Sequence, residues 1–420
     1  MPLLAAAPTL RTAAVLAAIA LAALLLPVWA AVAAAIALLA AAAADVWSVR
    51  EPPELARSVP PVLSRGVAVP IEITAIVRDG RRVLLRQPAI PALELDRETG
   101  IDEVAGSVLP RRRGRHALPG VASASVGPLG LARVNHPPGD PVTVAVYPDL
   151  VKAHALIGRL RRELAGHPGK LARGPLGLGT DFESIRDYTP DDDIRQLNWR
   201  ATARMGRPMS NQYRVERDRD LVCVLDAGRL MAAPIGSRTM LDASLDAVTM
   251  LALAADELGD RCGAIAFDET IRRVIAPSHR SGRQVIGALF DLEPAPVDSD
   301  FERAFGRVGS ARRAFVAVFT DLVDEAAARS LTEAIPMLAR RHVVLVVTAT
   351  DPVLEQIALA PPSTVLDVAS GLVALDVLEA RAAASAKLAR AGASVIEAAA
   401  GDLAERCLGA YLDAKARARL

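Results

Sequence analysis

From Thr12 to Ala44 the sequence carries no charged residue. A helix needs about 20 apolar residues to cross a bilayer, whereas a cleaved secretory signal has an apolar core of only about 7 to 15. The run therefore predicts retained membrane insertion, with cleavage in the Ala-rich stretch before Asp45 as the weaker reading. Pro27 divides it. The expected arrangement over residues 1–48 is a transmembrane helical hairpin, with spans from about Leu3 to Leu26 and from about Val28 to Val46. Arg11 falls inside the first span, where its side chain has to snorkel to the interface. Trp29 and Trp47 suit interfacial depths. A hairpin returns the chain to its starting side, and Arg50, Arg57 and Arg65 follow it. The positive-inside rule then predicts a multi-pass protein of the cell inner membrane with a cytoplasmic body. The alternative, one long span, would leave the body outside.

Behind this segment, a chain of 420 residues has room for two or three domains. A net charge of +1 gives no bulk electrostatic reason to expect nucleic acid as a partner. Cys223, Cys262 and Cys407 are far apart in apolar runs and read as buried free thiols, not as a disulfide frame or metal knuckle.

Residues 60–148 predict a small β-sandwich of immunoglobulin type, after a Pro-rich linker at Leu55–Pro61. Val67 to Val77 alternates, and Asp79-Gly80 signals a hairpin into Val83-Leu84-Leu85. Further strands are expected at Ala92–Leu95, Glu103–Leu109, Gly114–Leu118 and Val142–Val146. The basic cluster Arg111–Arg115 is either a solvated turn or an attractor for anionic lipid or an acidic partner.

Residues 218–420 alternate apolar strands with amphipathic helices. Strands are expected at Leu221–Leu225, Cys262–Phe267, Ile271–Ile275, Ala314–Phe319, Val343–Val347 and Ser394–Glu397. Helices are expected at Met240–Leu258, Gln284–Leu292, Asp324–Ala339 and Asp402–Ala416. Continuous apolar strands between such helices predict a parallel sheet covered on both faces, a doubly wound α/β domain whose crevice lies at the carboxyl ends of its strands. Asp226 and Asp321 each end a strand and are expected at one edge, with Asp268 close by.

Residues 149–217 form a connection that opens with a predicted helix at Lys152–Glu163. Its remainder, Gly177 to Glu216, is unlike any other stretch. Asp181, Phe182, Glu183, Arg186, Asp187, Tyr188, Asp191 to Asp193, Arg195, Trp199, Arg200 and Arg204 interleave charges with aromatics. Aromatics make up only 3% of the chain, so Phe182, Tyr188 and Trp199 among these charges are a concentration. The physical reading is a segment that docks its rings on a neighbouring core while Arg and Asp pair beside them. An ion-paired connector is the plain alternative.

The spacing Gly179-x-Asp181-Phe182-x-x-x-Arg186-x-Tyr188, then Asp192-x-x-Arg195-x-x-x-Trp199-x-x-x-Ala203-Arg204, resembles the bacterial domain of unknown function 58 family. Asp191 departs from it, since the family usually has Gly there. Leu109-Pro-Arg-Arg-Arg-Gly-Arg, Gly127-Pro-Leu-Gly-Leu and Val146-Tyr-Pro are similar to landmarks of the same family. The resemblance implies a membrane hairpin with a cytoplasmic body, a von Willebrand factor A-like α/β domain and a working partner among MoxR-type AAA+ ATPases. The pair would act as a chaperone-like or assembly system. In that picture Arg186, Tyr188, Arg195 and Trp199 form or brace the contact surface, and Asp181, Phe182, Asp192 and Arg204 complete the signature.

Domains of that kind bind a divalent metal through Asp-x-Ser-x-Ser. Here the stretch reads Asp226-Ala-Gly-Arg-Leu, with Gly228 and Leu230 where hydroxyls should be. A hard cation needs oxygen ligands, so Asp226 and Asp321 are expected to be a degenerate site edge, with no cofactor. Arg229 is placed to pair with an Asp. The competing reading is a metal-dependent ligand-binding or adhesion protein. No phosphate-binding loop, dinucleotide fingerprint, nucleophile elbow or helical zinc pair occurs, so the expectation is a non-enzymatic protein, with a hydrolase as the remaining alternative.

Overall fold

The computed structural model describes residues 6–25, 27–76, 81–166, 181–189, 194, 197–214, 219–309, 312–322 and 325–416. The chain divides into two units, Met1–Tyr147 and Pro148–Leu420.

The first unit opens with strand β1 (Ala6–Pro8), helix α1 (Leu10–Ala22) and helix α2 (Val28–Ser48). At 21 residues α2 is about 32 Å long, enough for a bilayer core of about 30 Å. Val28, Trp29, Val32, Ile36 and Leu39 form an exposed apolar face, while Leu38 and Asp45 on the opposite side are buried. Among the described residues it is the one helix long and apolar enough to cross a membrane. The expected first span does not form. α1 has 13 residues, about 20 Å, which is too short. Ala6–Pro8 pairs antiparallel with a strand of the β region instead of extending the helix. Polar groups explain the difference. The Thr9 hydroxyl donates to the Gly130 carbonyl at 2.5 Å and the Thr12 hydroxyl to the Leu131 carbonyl, which ties the helix start to protein. Residues 3–5 and 26 of that span lie outside the described residues. Past α2, the Arg50 guanidinium stacks 4.8 Å above the Trp47 ring.

The β region holds β2 (Glu54–Ser58), β3 (Val62–Ser64), β4 (Val69–Ile76), β5 (Arg82–Arg86), β6 (Leu93–Leu95), β7 (Thr99–Ile101), β8 (Glu103–Pro110), β9 (Gly114–Leu118), β10 (Ala122–Val126), β11 (Ala132–His136) and β12 (Val142–Tyr147). They form three sheets, ordered β1-β11-β10-β5-β7, β2-β4-β8-β6 and β3-β12-β9. Period-two burial along β4 and β8 sets the core. Ile71 and Val108 pack with Leu63, Leu93, Leu118 and Val146, while Ile73 and Val104 pack with Val83, Leu85 and Val121. Two expectations change. Leu55–Pro61 is no linker, because β2 occupies most of it and pairs with β4. The residues flanking Asp79-Gly80 do not make a hairpin: β4 pairs with β2 and β8, and β5 with β10 and β7. Asp79 and Gly80 themselves lie outside the described residues.

The second unit begins with α3 (Leu150–Gly166), followed by β13 (Asp181–Asp187), α4 (Trp199–Met205) and β14 (Met209–Arg214). Next come β15 (Asp220–Asp226), the short pair β16 (Pro234–Ile235) and β17 (Arg238–Thr239), and α5 (Met240–Leu258). Then follow β18 (Arg261–Phe267), β19 (Ile271–His279), α6 (Gly282–Leu289), α7 (Phe301–Phe305), β20 (Ala314–Phe319) and α8 (Glu325–Ala339). The unit closes with β21 (Val343–Thr350), α9 (Pro352–Leu359), α10 (Val365–Arg390), β22 (Ser394–Ala399) and α11 (Leu403–Ala416). Six strands form one sheet in the order β19-β18-β15-β20-β21-β22, parallel except for the edge strand β19.

Alternation along β15 explains how that sheet is covered. Val222 and Val224 share a cluster with Phe301 and Phe305 of α7, Leu331 and Ile335 of α8, and Leu388 of α10. On the other face, Phe315 of β20 meets the ring of Tyr411 from α11 at 5.3 Å. α5 is buried along most of its length. It is started by a capping box between Thr239 and Asp242 and stopped at Gly259, whose φ of 74° suits a residue without a side chain.

Candidate functional site

Two regions of the second unit hold the residues singled out by sequence. The first is the carboxyl edge of the parallel sheet. β15 ends at Asp226, and the neighbouring β20 runs into Thr320 and Asp321, so both carboxylates reach the same edge. Asp226 is buried. One of its oxygens accepts the Ser299 hydroxyl at 2.5 Å and the Gly228 N–H at 2.7 Å, and the other accepts the Thr320 hydroxyl at 2.6 Å. Burial pushes its pKa above the ordinary carboxylate value, opposed by these three donors and reinforced by the charge of Asp268. Asp268 follows Phe267, the register partner of Asp226, and so belongs to the same edge. Its own pKa is lowered: burial pushes it up, but donors from Thr270 and the Arg272 guanidinium outweigh that.

The hydroxyl absent at position 228 is thus supplied by Ser299. A side chain on Gly228 would run into the Ser299 hydroxyl and the Val297 carbonyl. Arg229 pairs with Asp298 at 2.5 Å. Asp321 accepts its neighbour's N–H from Leu322 at 2.7 Å and lies 3.4 Å from the buried Arg381 guanidinium. Among the described residues, Nε and Nη1 of Arg381 have no acceptor.

This donor set does not fit a divalent cation. Both oxygens of Asp226 already receive hydrogen bonds, and Asp321 faces an internal positive charge that a metal would have to displace. Among the described residues, no group of three or more His, Cys, Asp or Glu side chains is placed to hold a metal ion.

The second region is the charged signature. Asp181, Phe182 and Arg186 lie on β13, which pairs antiparallel with β14 with a break in register between Phe182 and Ser184. Tyr188 follows and is half-buried, its N–H bound to the Pro208 carbonyl. Between the strands sits α4, capped by the Asn198 side chain, which accepts the Ala201 N–H and donates to Asn211 at 2.7 Å. Gly206, at φ 66°, ends it. Arg186 donates to the Asp187 carbonyl, and Arg207 pairs with the Asp187 carboxylate at 3.0 Å. Asp192 and Arg195 lie outside the described residues.

Trp199 corrects the expectation of rings docked on a core. It opens α4 and is 72% exposed. Ile185, Ile194, Met205 and Arg204 are exposed as well. The helix it opens has only seven residues and buries none of them.

Two groups escaped the sequence reading. Cys223 and Cys262 lie on paired strands and Cys407 lies on α11, and all three thiols are buried although they are far apart in sequence. The neighbouring Cys262 thiol and burial push the Cys223 thiol up, and burial pushes Cys407 up to about 12. Beside them the Asp260 carboxylate accepts from the Tyr411 hydroxyl at 2.5 Å and from Lys415. The other group is Asp45, near the end of α2. It is 1% exposed and accepts the N–H groups of Leu129 at 3.0 Å, Leu131 at 2.7 Å and Ala132 at 3.0 Å. Three backbone donors around one carboxylate form an anion nest, and Gly127 leaves room for it.

Residues 184–393, half of the chain, match the family described as "Protein of unknown function DUF58". The chain is also similar to uncharacterized proteins of Mycobacterium tuberculosis and Mycobacterium bovis. It is 27% identical to each over 185 residues, which are 42% of this chain and 56% of theirs. It thus spans little more than half the length of these relatives.

Proposed function

Because the chain belongs to the DUF58 family of proteins of unknown function, we propose that it is a membrane-anchored, non-enzymatic protein-interaction module. In this reading the second unit is a von Willebrand factor A-like, doubly wound body. The six-stranded sheet with Asp226 and Asp321 at one carboxyl edge supports that assignment. In this reading α2 is the anchor; because β1 before it pairs with β11 behind it, the chain enters and leaves on one side, and Arg50, Arg57 and Arg65 after α2 favour the cytoplasm as that side.

The observation that carries the reading is Trp199. A tryptophan 72% exposed beside exposed Ile185, Ile194 and Met205, with Arg186, Arg204 and Arg207 in the same short segment, has the composition of a binding hot spot. By the family resemblance the partner is a MoxR-type AAA+ ATPase, and the pair works as a chaperone-like or assembly system. A non-enzymatic role agrees with buried thiols pushed toward the unreactive form and a carboxylate edge held by internal donors.

The test is a photo-cross-linking residue placed at position 199 or 204 of the full-length chain in its native membrane. An AAA+ ATPase as the main adduct, weakened when the probe at 204 is combined with Trp199→Ala, is the expected result. Undiminished capture in the Trp199→Ala chain would remove the signature from the contact.

A further inference from the structure

α9 and α10 form a helical hairpin whose far half is unpartnered among the described residues. The second half of α10 packs on the body through the buried Arg381, Ala384 and Leu388. The first half and α9 stand clear, with Leu359, Val365, Leu366, Leu372, Val373 and Leu375 all exposed. These residues do not lie on one stripe. From Val365 to Leu378 the apolar positions run round the whole helix, a pattern that belongs to a helix covered on several sides. The helix is nevertheless firmly started. The Thr364 hydroxyl accepts the Asp367 N–H, while the Asp367 carboxylate takes the N–H of Ser363, the N–H of Thr364 and the Ser363 hydroxyl. A preformed apolar surface of this kind marks a binding site.

Charge selects what covers it. From Asp351 to Ala380 every ionised side chain is acidic: Asp351, Glu355, Asp367, Asp376 and Glu379. Helices that lie on anionic bilayers are flanked by Lys and Arg, so this rim is of the wrong sign for lipid. A second copy packed symmetrically on the same surface would bring two acidic rims together. We propose that the α9–α10 hairpin docks a protein partner presenting an amphipathic helix whose apolar stripe is edged by Lys and Arg. The surface uses none of the residues around Trp199, and the proposal stands apart from the function assigned to them.

The test uses the full-length chain in nanodiscs of zwitterionic lipid. The probes are two fluorescein-labelled amphipathic peptides, one of Leu and Lys and one of Leu and Glu. The Leu/Lys peptide is expected to bind about tenfold more tightly or better, and to weaken as salt rises. Leu366→Ser with Leu372→Ser should lower that affinity about tenfold with an unchanged melting profile, since both side chains are exposed. Asp376→Asn with Glu379→Gln should narrow the difference between the peptides. Equal binding of the two peptides, or binding of neither, overturns the proposal. A polarity-sensitive dye on Leu372→Cys that shifts to the blue without peptide overturns it in favour of the bilayer. A dimer abolished by Leu372→Ser overturns it in favour of a second copy.

Discussion

Ser299 and Gly228 occupy one another's space: the serine hydroxyl fills the place where a side chain at 228 would begin, and from there it donates to Asp226 at 2.5 Å. Gly228→Ala should therefore cost about 1–3 kcal/mol of stability, as overpacking does. Adding Ser299→Ala should recover part of that and not all, because the Val297 carbonyl also lies 2.9 Å from the new carbon. Denaturant unfolding of the two single variants and the double variant measures the coupling.

The Arg381–Asp321 pair is almost wholly buried. Removing one partner leaves the other charged and unpaired, so Asp321→Ala or Arg381→Met should each cost about 3–5 kcal/mol. The two together should cost less than the sum. Additive losses would mean that the pair is not coupled.

With Asp321 facing a guanidinium and Asp226 saturated by donors, magnesium or manganese should give no saturable heat in calorimetry on the full chain. A stoichiometric, saturable heat would show that the hydroxyls of Ser299 and Thr320 turn outward to ligate the ion.

Asp45→Ala strips one acceptor from three backbone N–H groups, each of which costs about 1–3 kcal/mol when buried without a partner. The expected result is faster hydrogen exchange at Leu129, Leu131 and Ala132, with Asp45→Asn intermediate. Unchanged protection there would show that water replaces the carboxylate at little cost.

His342 is buried and its Nδ1 accepts the Ala314 N–H at 3.2 Å, which needs the neutral ring. Burial lowers its pKa from an ordinary value of 6.5. The unfolded chain therefore takes up a proton that the folded ring resists. This contribution is fully present above pH 6.5 and is lost as pH falls through the folded value. His136, beside the Ser125 hydroxyl, shifts the same way through burial. Melting temperature should fall between about pH 7 and pH 5, and His342→Gln should flatten the slope without removing it.

How legible the fold was depends on whether apolar residues kept a period. Met240–Leu258 and Gly114–Leu118 were readable to the residue, because caps and alternation agreed with the final packing. The meeting of Asp226 and Asp321 followed from two strand ends. Ser299 was not readable, since it reaches Asp226 from a loop that carries no motif. α9 and α10 went unseen because apolar residues surround α10 and give no single face; the Thr364–Asp367 box was the available signal. α1 was overextended because Ala-rich sequence hides the effect of Pro8, Thr9 and Thr12. The interleaved charges and aromatics around Trp199 read both as a ring docked on a core and, by the family resemblance, as a contact surface, because sequence alone cannot tell an anchor for self from an anchor for a partner.

All three native cysteines are buried, two on paired strands of the central sheet and one on α11. Alkylating reagents in solution therefore find nothing to label in the intact molecule, and wild type is a silent background for any single cysteine placed on its surface. The same arrangement makes the slow modification of these thiols a clock. It counts the moments when the helices packed on that sheet lift away, in purified protein or in living cells, with the alkylating reagent alone and no engineered label.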